Sequence, residues 1–252
     1  IVIPDFSGIR SSFPCRPHEG ENPVISVRDL GFLYGDVPAL AGVSLDVYPG
    51  EFVAIVGENG SGKTTLIKHF IGLLHATRGS VTVDGKDAKV TPVSELAHSV
   101  GLVFQNPDDQ LFMPTVFDET AYAAINAGYG REEVRRRVNE ALSVTGLCGL
   151  EAKHPLNLSL GQRKRLTIAS VLVTDNRLLA LDEPSAGLDP AARRTLRDLL
   201  AHLPGTQIIA THDLDLAAAL CPRAVVMAGG AVAYDGATAP LLAAGFLAQY
   251  GL

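Results

Sequence analysis

Gly57-Glu58-Asn59-Gly60-Ser61-Gly62-Lys63-Thr64 is the stretch that decides the fold of this chain. The apolar run Phe52–Val56 precedes it, and residues 65–71 follow with apolar side chains at helical spacing. Strand, glycine-rich turn and helix in this order are the context of a phosphate-binding loop, whose backbone N–H groups and helix N-terminus face a polyphosphate. In such a loop Lys63 reaches the β- and γ-phosphates, and the Thr64 hydroxyl ligates Mg²⁺. The stretch therefore predicts a nucleoside triphosphate site.

The composition limits the class of protein. The chain has 252 residues, enough for one large α/β domain with an inserted subdomain. Its formal net charge of −6 argues against nucleic-acid binding by bulk electrostatics, so we expect no nucleic-acid partner. No run approaches the roughly 18 apolar residues of a membrane-spanning helix. The cysteines Cys15, Cys148 and Cys221 are widely spaced and are predicted to be reduced thiols, which favours a cytosolic protein.

Two alternating segments near the start predict antiparallel strands. Residues 24–30 and 43–47 alternate polar and apolar side chains, which is typical of strands with one exposed face. Residues 32–36 between them form an aromatic tip, for which the alternative is a strand end that packs into the core. Residues 1–23 are rich in Pro, Gly and Ser and lack the basic-then-apolar pattern of a signal peptide, so we expect a poorly ordered leader.

A helical segment interrupts the strands in the middle of the chain. After an apolar strand at 100–104, residues 106–174 contain no convincing strand but show helical patterns, notably at 131–145 and 160–174. Strands and helices then alternate, with apolar runs at 178–181, 207–210 and 224–227 and helices at 190–203 and Leu214–Leu220. Such alternation predicts parallel βαβ units with right-handed crossovers.

Polar side chains follow the ends of several of these strands. Asp182 and Glu183 follow the run at 178–181, at the carboxyl end where ligands of open parallel sheets bind. Asp182 is predicted to hold Mg²⁺ through water, and Glu183 to polarise the attacking water, although an acidic turn after a strand is common. His212 could reach a γ-phosphate from another strand end, whereas a lone histidine is usually structural. Gln105 could contact both Mg²⁺ and water without adding charge.

A second helix start carries the features of an anion site. Ser159 is a good N-cap for the helix at 160–174, and Gly161 lies beside it. One γ-phosphate does not need two such helix starts from a single subunit. The triplet Arg163-Lys164-Arg165 follows, and on a solvated helix face such a triplet indicates solubility rather than nucleic-acid binding.

Taken together, these motifs resemble the ATP-binding cassette (ABC) ATPases, and the resemblance covers residues 23–252. Residues 57–64 match the Walker A motif and residues 178–183 the Walker B motif. Residues 158–162 are similar to the signature motif, and residues 185–189 to the D-loop.

Single residues extend the resemblance. Gln105 resembles the Q-loop glutamine and His212 the switch histidine, and Tyr34 falls at the aromatic position that stacks on adenine in this family. Leu160 stands where the signature motif more often has Gly, and Ser185 where Thr is commoner. Neither departure removes a group that the chemistry needs, so an active ATPase is implied.

The resemblance implies a nucleotide-sandwich dimer, either a homodimer or a heterodimer with a second ABC ATPase. In that dimer Ser159 and Gly161 of one subunit cap the ATP held by the other, which accounts for the two helix starts. The implied cofactors are ATP and Mg²⁺. The residues expected to bind the nucleotide are Tyr34, Asn59, Gly60, Ser61, Gly62, Lys63, Thr64, Thr65, Ser159, Gly161, Gln162 and Asp189. Those expected to be catalytic are Glu183, His212, Gln105 and Lys63, and those expected at Mg²⁺ are Thr64, Gln105 and Asp182.

A narrower resemblance lies in residues 105–110, Gln-Asn-Pro-Asp-Asp-Gln, followed by Thr115-Val116 and Asp118-Glu119. This run is similar to the ATPases of energy-coupling factor (ECF) importers, which take up vitamins or cobalt and nickel ions in prokaryotes. Ala121-Tyr122-Ala123 departs from the small-aromatic-Gly pattern of that group, and the alternative for residues 106–110 is an ordinary Asn-Pro-Asp turn. The resemblance implies a peripheral protein at the cytoplasmic face of the membrane, bound to integral membrane transporter subunits that select the substrate.

Two other functions share the same nucleotide site. One is the ATPase of another class of ABC transporter, and the other is a non-transport ABC ATPase. Chromosome-maintenance ATPases carry long heptad-patterned coiled coils, and residues 70–158 contain nothing of that length. Translation factors need two tandem cassettes, and this chain has one.

An apolar stretch after Gln105 is a candidate for contact with the membrane subunit. Leu111, Phe112, Met113 and Phe117 are embedded in turn-forming and acidic residues, as expected of a small docking groove. The alternative is that these side chains anchor the helical insertion to the core.

The expected fold class is α/β. As the resemblance implies, it is a P-loop NTPase (RecA-like) core with a parallel sheet, an antiparallel β-subdomain and an inserted α-helical subdomain. The predicted ABC ATPase domain covers residues 24–252, with the core at 24–105 and 175–252 and the helical subdomain at 106–174.

Overall fold

The computed structural model describes residues 21–243, 245, 246 and 248. The leader predicted for residues 1–23 lies outside this part of the chain apart from its last three residues, and Cys15 lies outside it as well. Cys148 and Cys221 are free thiols, and burial raises the pKa of Cys221 to about 12.

Two sheets and seven α-helices make up the described part of the chain. The strands are β1 (Ile25–Tyr34), β2 (Val37–Val47), β3 (Phe52–Val56), β4 (Arg78–Val83), β5 (Lys86–Asp87), β6 (Val100–Val103), β7 (Leu178–Asp182), β8 (Thr206–Thr211), β9 (Arg223–Ala228) and β10 (Ala231–Ala237). The helices are α1 (Lys63–Phe70), α2 (Val93–Leu96), α3 (Val116–Asn126), α4 (Arg131–Val144), α5 (Leu160–Leu172), α6 (Pro190–His202) and α7 (Leu214–Leu220).

The larger sheet has the order β10-β9-β3-β8-β7-β6. Its five strands from β9 to β6 are parallel, and β10 pairs antiparallel with β9. The parallel core predicted from the apolar runs is therefore confirmed. Because the carboxyl ends of parallel strands meet at one edge, the residues that follow β3, β6, β7 and β8 lie close together.

The smaller sheet has the order β2-β1-β4-β5 and is antiparallel, as the alternating segments predict. Strand β1 runs as far as Tyr34, so the aromatic tip is the end of a strand in a hairpin with β2. Phe32 packs against the core, whereas Tyr34 is 48% exposed. The packing alternative is therefore correct for Phe32 but not for Tyr34.

Alternation along the buried strands divides the core between the two faces of the parallel sheet. Val53 and Ile55 of β3 face a cluster that includes α1 and the antiparallel sheet, while Ala54 and Val56 face α6 and α7. This follows from the two-residue side-chain period of a strand that is buried on both faces. The resulting layers hold β3 and α1 in place on either side of the glycine-rich turn.

Helices α3, α4 and α5 lie between β6 and β7 in the chain and share a core of their own, formed among others by Val116, Val138, Leu142 and Leu166. The helical patterns predicted α4 and α5 but did not identify α3. The architecture of parallel core, antiparallel sheet and helical insertion matches the expected fold class, and the boundaries given for the subdomains remain a prediction. None of the helices in the described residues has the length and apolarity to cross a bilayer.

Candidate nucleotide site

The turn between β3 and α1 depends on two of its glycines. A Cβ on Gly57 would lie 2.3 Å from the carbonyl oxygen of Met227, and Gly62 has a φ of 102° with the carbonyl oxygen of Ala39 2.8 Å from its ideal Cβ. Side chains at these positions would collide with backbone, so the loop conformation requires glycine there. Gly62 is also the N-cap of α1, and no described side chain caps this helix start. The N-terminal N–H groups are thereby left for an anion.

Lys63 is buried at the base of this loop, with 5% of its surface exposed. Its Nζ donates to the carbonyl oxygens of Gly57 at 2.7 Å and Glu58 at 2.9 Å, and lies 3.8 Å from Oε1 of Glu183. The buried Oγ of Ser61 has no hydrogen-bond partner among the described residues. An ammonium group and an unpaired hydroxyl within one glycine-rich loop fit a polyphosphate.

Thr64 and Asp182 connect the loop with the end of β7. The Thr64 hydroxyl donates to Oδ2 of Asp182 at 2.7 Å. The second oxygen of Asp182, Oδ1, is buried and has no partner in the described part of the chain. Burial raises the pKa of the Asp182 carboxyl, while the hydrogen bond from Thr64 opposes this change. A hydroxyl and a carboxylate oxygen in contact are hard oxygen ligands of the kind that Mg²⁺ prefers, so these residues fit the ion.

Glu183 is buried next to Asp182 and has a left-handed backbone with a φ of 46°. Its Oε2 lies 2.8 Å from Nδ1 of His212, and accepts weaker hydrogen bonds from the Thr211 hydroxyl at 3.3 Å and from the His212 backbone N–H at 3.4 Å. Its Oε1 has no hydrogen-bond partner among the described residues. One carboxylate oxygen is thus held, and the other is available to a substrate or a water molecule.

The remaining expected site residues differ in their exposure to solvent. Asn59 and Gly60 are exposed in the loop, and Gln105 is exposed at the end of β6. Tyr34 lies at the end of β1 with its ring edge to face against Phe32 at 4.9 Å. An exposed ring that is held by a neighbour is a suitable platform for a base. Thr65 is buried within α1.

The second predicted helix start has the expected cap. Ser159 Oγ accepts from the Gln162 backbone N–H at 3.3 Å, and Gln162 Oε1 accepts from the Ser159 N–H at 3.0 Å, which is a capping box. Gly161 lies against α6, where its ideal Cβ would be 3.1 Å from Cβ of Ala192. Asp189 caps α6 by accepting from the N–H groups of Ala191 and Ala192.

Two sets of predicted site residues differ in their contacts. Lys63, Thr64, Asp182, Glu183 and His212 are joined by direct contacts. No described contact joins Ser159, Gly161, Gln162 or Asp189 to the phosphate loop.

The solvated-face interpretation of residues 163–165 is wrong. Lys164 is 5% exposed and donates to the carbonyl oxygens of Gln105 at 3.1 Å and Glu183 at 3.0 Å. Burial lowers the pKa of Lys164 to about 8, and the negative charges of Glu183 and Asp182 oppose this shift. A signal was present, because Lys164 lies on the same helix face as the buried Thr167 and Ile168, at the i+3 and i+4 spacing.

The other two residues of the triplet also have internal partners. Arg163 forms an ion pair with Asp108, and Arg165 Nη1 donates to the carbonyl oxygens of Thr145 at 2.7 Å and Gly146 at 3.2 Å. These contacts join residues far apart in the chain, so the charge pattern alone could not indicate them.

Comparisons with known proteins agree with this geometry. Residues 40–186 match the family model described as ABC transporter. The chain is 46% identical over 216 residues to a provisionally named ABC transporter ATP-binding protein of Geobacter sulfurreducens, covering 85% of this chain and 87% of the relative. It is 43% identical over 219 residues to the energy-coupling factor transporter ATP-binding protein EcfA of Methanocaldococcus jannaschii, covering 84% and 78%. It is also similar to the structure of cbiO1 from Clostridium perfringens, part of the ABC transporter complex cbiONQ, with a TM-score of 0.81 and 37% identity over 91% of this chain and 94% of that one.

Proposed function

Because this chain belongs to the ABC transporter family, as an ATP-binding subunit that hydrolyses ATP, we propose that it energises an importer of the ECF type. The observation that supports an energising role best is the convergence of Lys63, Thr64, Asp182 and Glu183 at one sheet edge. The narrower assignment is supported by the similarity to EcfA and to cbiO1.

In the proposed mechanism each residue at the sheet edge has one task. Lys63 turns its ammonium from the loop carbonyls to the β- and γ-phosphates, and the loop N–H groups bind the same oxygens. Thr64, Asp182 and the Gln105 amide would hold Mg²⁺, which would supply positive charge beside the phosphates. Because Oε2 of Glu183 is occupied by His212 and Thr211, Oε1 orients the attacking water and accepts its proton.

The proposed dimer supplies the second half of each site. Ser159, Gly161 and Gln162 at the start of α5 face the γ-phosphate held by the partner, and Asp189 lies at the same interface. The capping box supports this role because it fixes the helix start in advance of binding. The partner is a second copy of this chain or a related ATPase.

The proposed docking surface for the membrane subunit is smaller than the sequence suggests. Leu111 and Phe117 pack against the core that the helical insertion forms on its own, which makes them less available for docking. This packing lies within the insertion, so whether they anchor the insertion to the rest of the domain stays a prediction. Phe112 is 64% exposed, and its ring meets that of Tyr122, itself 41% exposed, edge to face at 5.0 Å. We propose that an amphipathic helix of the membrane subunit contacts this aromatic pair, with a basic residue facing Asp109.

The segment before this aromatic pair is tied to α5. Asp108 is paired with Arg163, which leaves Asp109 as the better candidate for a basic partner. Gln110 Oε1 accepts from the Phe104 N–H at 3.0 Å, and its Nε2 donates to the Thr167 carbonyl at 3.3 Å and the Ser170 hydroxyl at 3.4 Å. Movement of a bound membrane helix would therefore reach α5, whose first residues meet the partner's nucleotide in the proposed dimer.

The proposed cargo is a vitamin or a cobalt or nickel ion, selected by a separate membrane protein, and the chain works at the cytoplasmic face of the membrane. The test is to purify the tagged chain from membranes in mild detergent, identify the integral proteins that accompany it, and reconstitute the complex in vesicles. We expect ATP-dependent accumulation of the cargo, and none with Glu183→Gln. Copurification with a multidrug or lipid exporter, or with no membrane protein, would contradict the ECF assignment.

A further inference from the structure

Lys164 joins the helical insertion to the ends of two core strands. It lies in the second turn of α5 and is buried, and its Nζ donates to the carbonyl oxygens of Gln105, beyond β6, and of Glu183, beyond β7. No other described side chain of α5 donates a hydrogen bond to residues at the end of β7. A buried ammonium that is shared between two strand ends needs an explanation, because burial of a charge opposite neutral carbonyls is costly.

The backbone conformation of Glu183 offers an explanation for the buried ammonium of Lys164. A φ of 46° is unusual for a residue with a side chain, and such conformations persist where several contacts determine them together. The Glu183 N–H donates to the Ala210 carbonyl at 2.8 Å, and its carbonyl accepts from Lys164 and from the Ala186 N–H. The side chain is held separately, by Thr211 and His212. Lys164 is therefore the contact through which the helical insertion reaches the main chain of Glu183.

We propose that Lys164 is a positioning residue for ATP hydrolysis, which fixes the peptide plane of Glu183 and the start of the Gln105 segment relative to α5. Its ammonium places the Glu183 carboxylate so that Oε1 can orient the water that attacks the γ-phosphate, and it transmits displacement of the insertion to that carboxylate. This inference rests on the proposed role of Glu183.

Arg165 offers a matched control. It is the next residue on α5, half-buried, and its guanidinium also donates to two backbone carbonyls, those of Thr145 and Gly146. These carbonyls lie within the insertion and not at the end of a core strand. Lys164→Met and Arg165→Met therefore remove the same kind of contact from the same helix, with and without a connection to Glu183.

The experiment compares the full chain with both variants by steady-state ATP hydrolysis, ATP affinity and thermal unfolding. For Lys164→Met we expect kcat to fall about 10- to 100-fold, the loss that misplacement of a catalytic group by about 1 Å produces, with KM and ATP affinity within about twofold. For Arg165→Met we expect a lower Tm with kcat unchanged. If both variants lose kcat in proportion to their loss of Tm, or if Lys164→Met keeps the wild-type kcat, the proposal is overturned.

Two further variants separate this inference from the proposed function. If Glu183→Gln keeps the wild-type rate, the proposed role of Glu183 fails and the positioning role fails with it. If Glu183→Gln lowers kcat about 10²- to 10⁴-fold, then Lys164→Met should cause no further loss of the residual kcat in that background, because both act on one group. Should Lys164→Met not fold, Lys164→Gln replaces it. The Gln side chain carries no charge and is too short to reach both the Gln105 and the Glu183 carbonyl oxygens as Lys164 does. An unchanged kcat in this variant would again overturn the inference.

Discussion

Nδ1 of His212 lies 2.8 Å from Oε2 of Glu183, although the histidine side chain is 60% exposed and that of the glutamate only 6%. The pair therefore connects the surface to a buried carboxylate. Since His212 holds Oε2, we expect a substrate to meet Oε1, which has no hydrogen-bond partner in the described part of the chain and lies 3.8 Å from Nζ of Lys63. The assignment of Glu183 as the group that polarises water depends on this asymmetry.

Glu183→Gln tests that assignment directly. The amide keeps the size of the side chain but cannot accept a proton, so we expect kcat to fall about 10²- to 10⁴-fold while ATP still binds. The variant should accumulate as an ATP-bound dimer, which sedimentation in the presence of ATP and Mg²⁺ would detect. Hydrolysis at the wild-type rate would remove Glu183 from the mechanism.

Ser159→Arg tests whether the start of α5 acts on the partner's nucleotide. The isolated subunit should bind ATP normally, whereas ATP-dependent dimerisation and hydrolysis should fail, because a bulky side chain would occupy the place of the γ-phosphate. Ser159→Ala is the control for loss of the helix cap without a bulky cation. Both variants lose the cap, worth about 1 kcal/mol, so their free energies of unfolding should fall by similar amounts.

A comparison with Lys63→Ala shows whether Ser159 acts on the partner's nucleotide or on the nucleotide of its own subunit. Lys63 belongs to the phosphate loop, so Lys63→Ala should lower the ATP affinity of the monomer. If monomeric Ser159→Arg lost ATP affinity to the same extent, the helix start would act within its own subunit and the proposed dimer geometry would be wrong.

Asp109→Lys tests the docking surface. Copurification with the membrane subunit and transport should fall, while ATP hydrolysis by the detached chain should remain within about twofold, as exposed substitutions have small effects on stability. Asp108 is unsuitable for this purpose, since its reversal would also break the ion pair with Arg163. Asp198→Lys on the exposed face of α6 makes the same charge change elsewhere and breaks only an exposed pair with the adjacent Arg197, which contributes little to stability. Equal losses in both variants would argue against a specific contact.

His69 predicts a pH dependence of stability. It is buried in α1, where Nδ1 donates to the Thr65 carbonyl at 2.7 Å, the ring packs edge to face on Phe32, and Nε2 has no partner in the described residues. Burial lowers the pKa of this imidazole below its ordinary value. The unfolded chain therefore binds a proton at His69 near pH 6.5, whereas the folded chain does so only at lower pH. Because the unfolded state binds more protons, the free energy of unfolding falls as pH drops below about 7.

The measurement is urea unfolding between pH 7.5 and 5.5, in the wild type and in His69→Gln. The quantity to compare is the slope of the free energy of unfolding against pH. Between the two proteins this slope should differ by at most about 1.4 kcal/mol per pH unit, the limit for one proton, and the difference should vanish above about pH 7.5. Identical slopes over the whole range would show that His69 does not contribute.

The strands and the phosphate loop could be predicted because their signals are local. Phe52–Val56 and the glycine-rich turn are contiguous, and a parallel sheet brings its carboxyl ends together, so the proximity of Asp182 and His212 followed from topology alone. Helix α3 also has a local signal, since Thr115 is its N-cap and the Thr115 side chain accepts from the Asp118 N–H.

The remaining contacts had little or no local signal. Asp108 and Arg163 are 55 positions apart, and nothing in either segment indicates the other. Glu119 resembles a surface residue in sequence, yet it is 3% exposed and accepts from the N–H groups of Phe112 and Met113 at 2.7 Å. The burial of Lys164 followed from the helical period, which the run of like charges obscured.

The hydrogen bonds of Gln110 have a thermodynamic consequence. These hydrogen bonds join α5 to the segment that precedes the aromatic pair. If α5 shifts between two positions, the segment must shift with it. Coupling between two binding events is reciprocal. If ATP changes the affinity for a membrane helix at this segment by some factor, the membrane helix must change the affinity for ATP by the same factor. The ATP affinity of the chain should therefore report the occupancy of a surface that the nucleotide never touches.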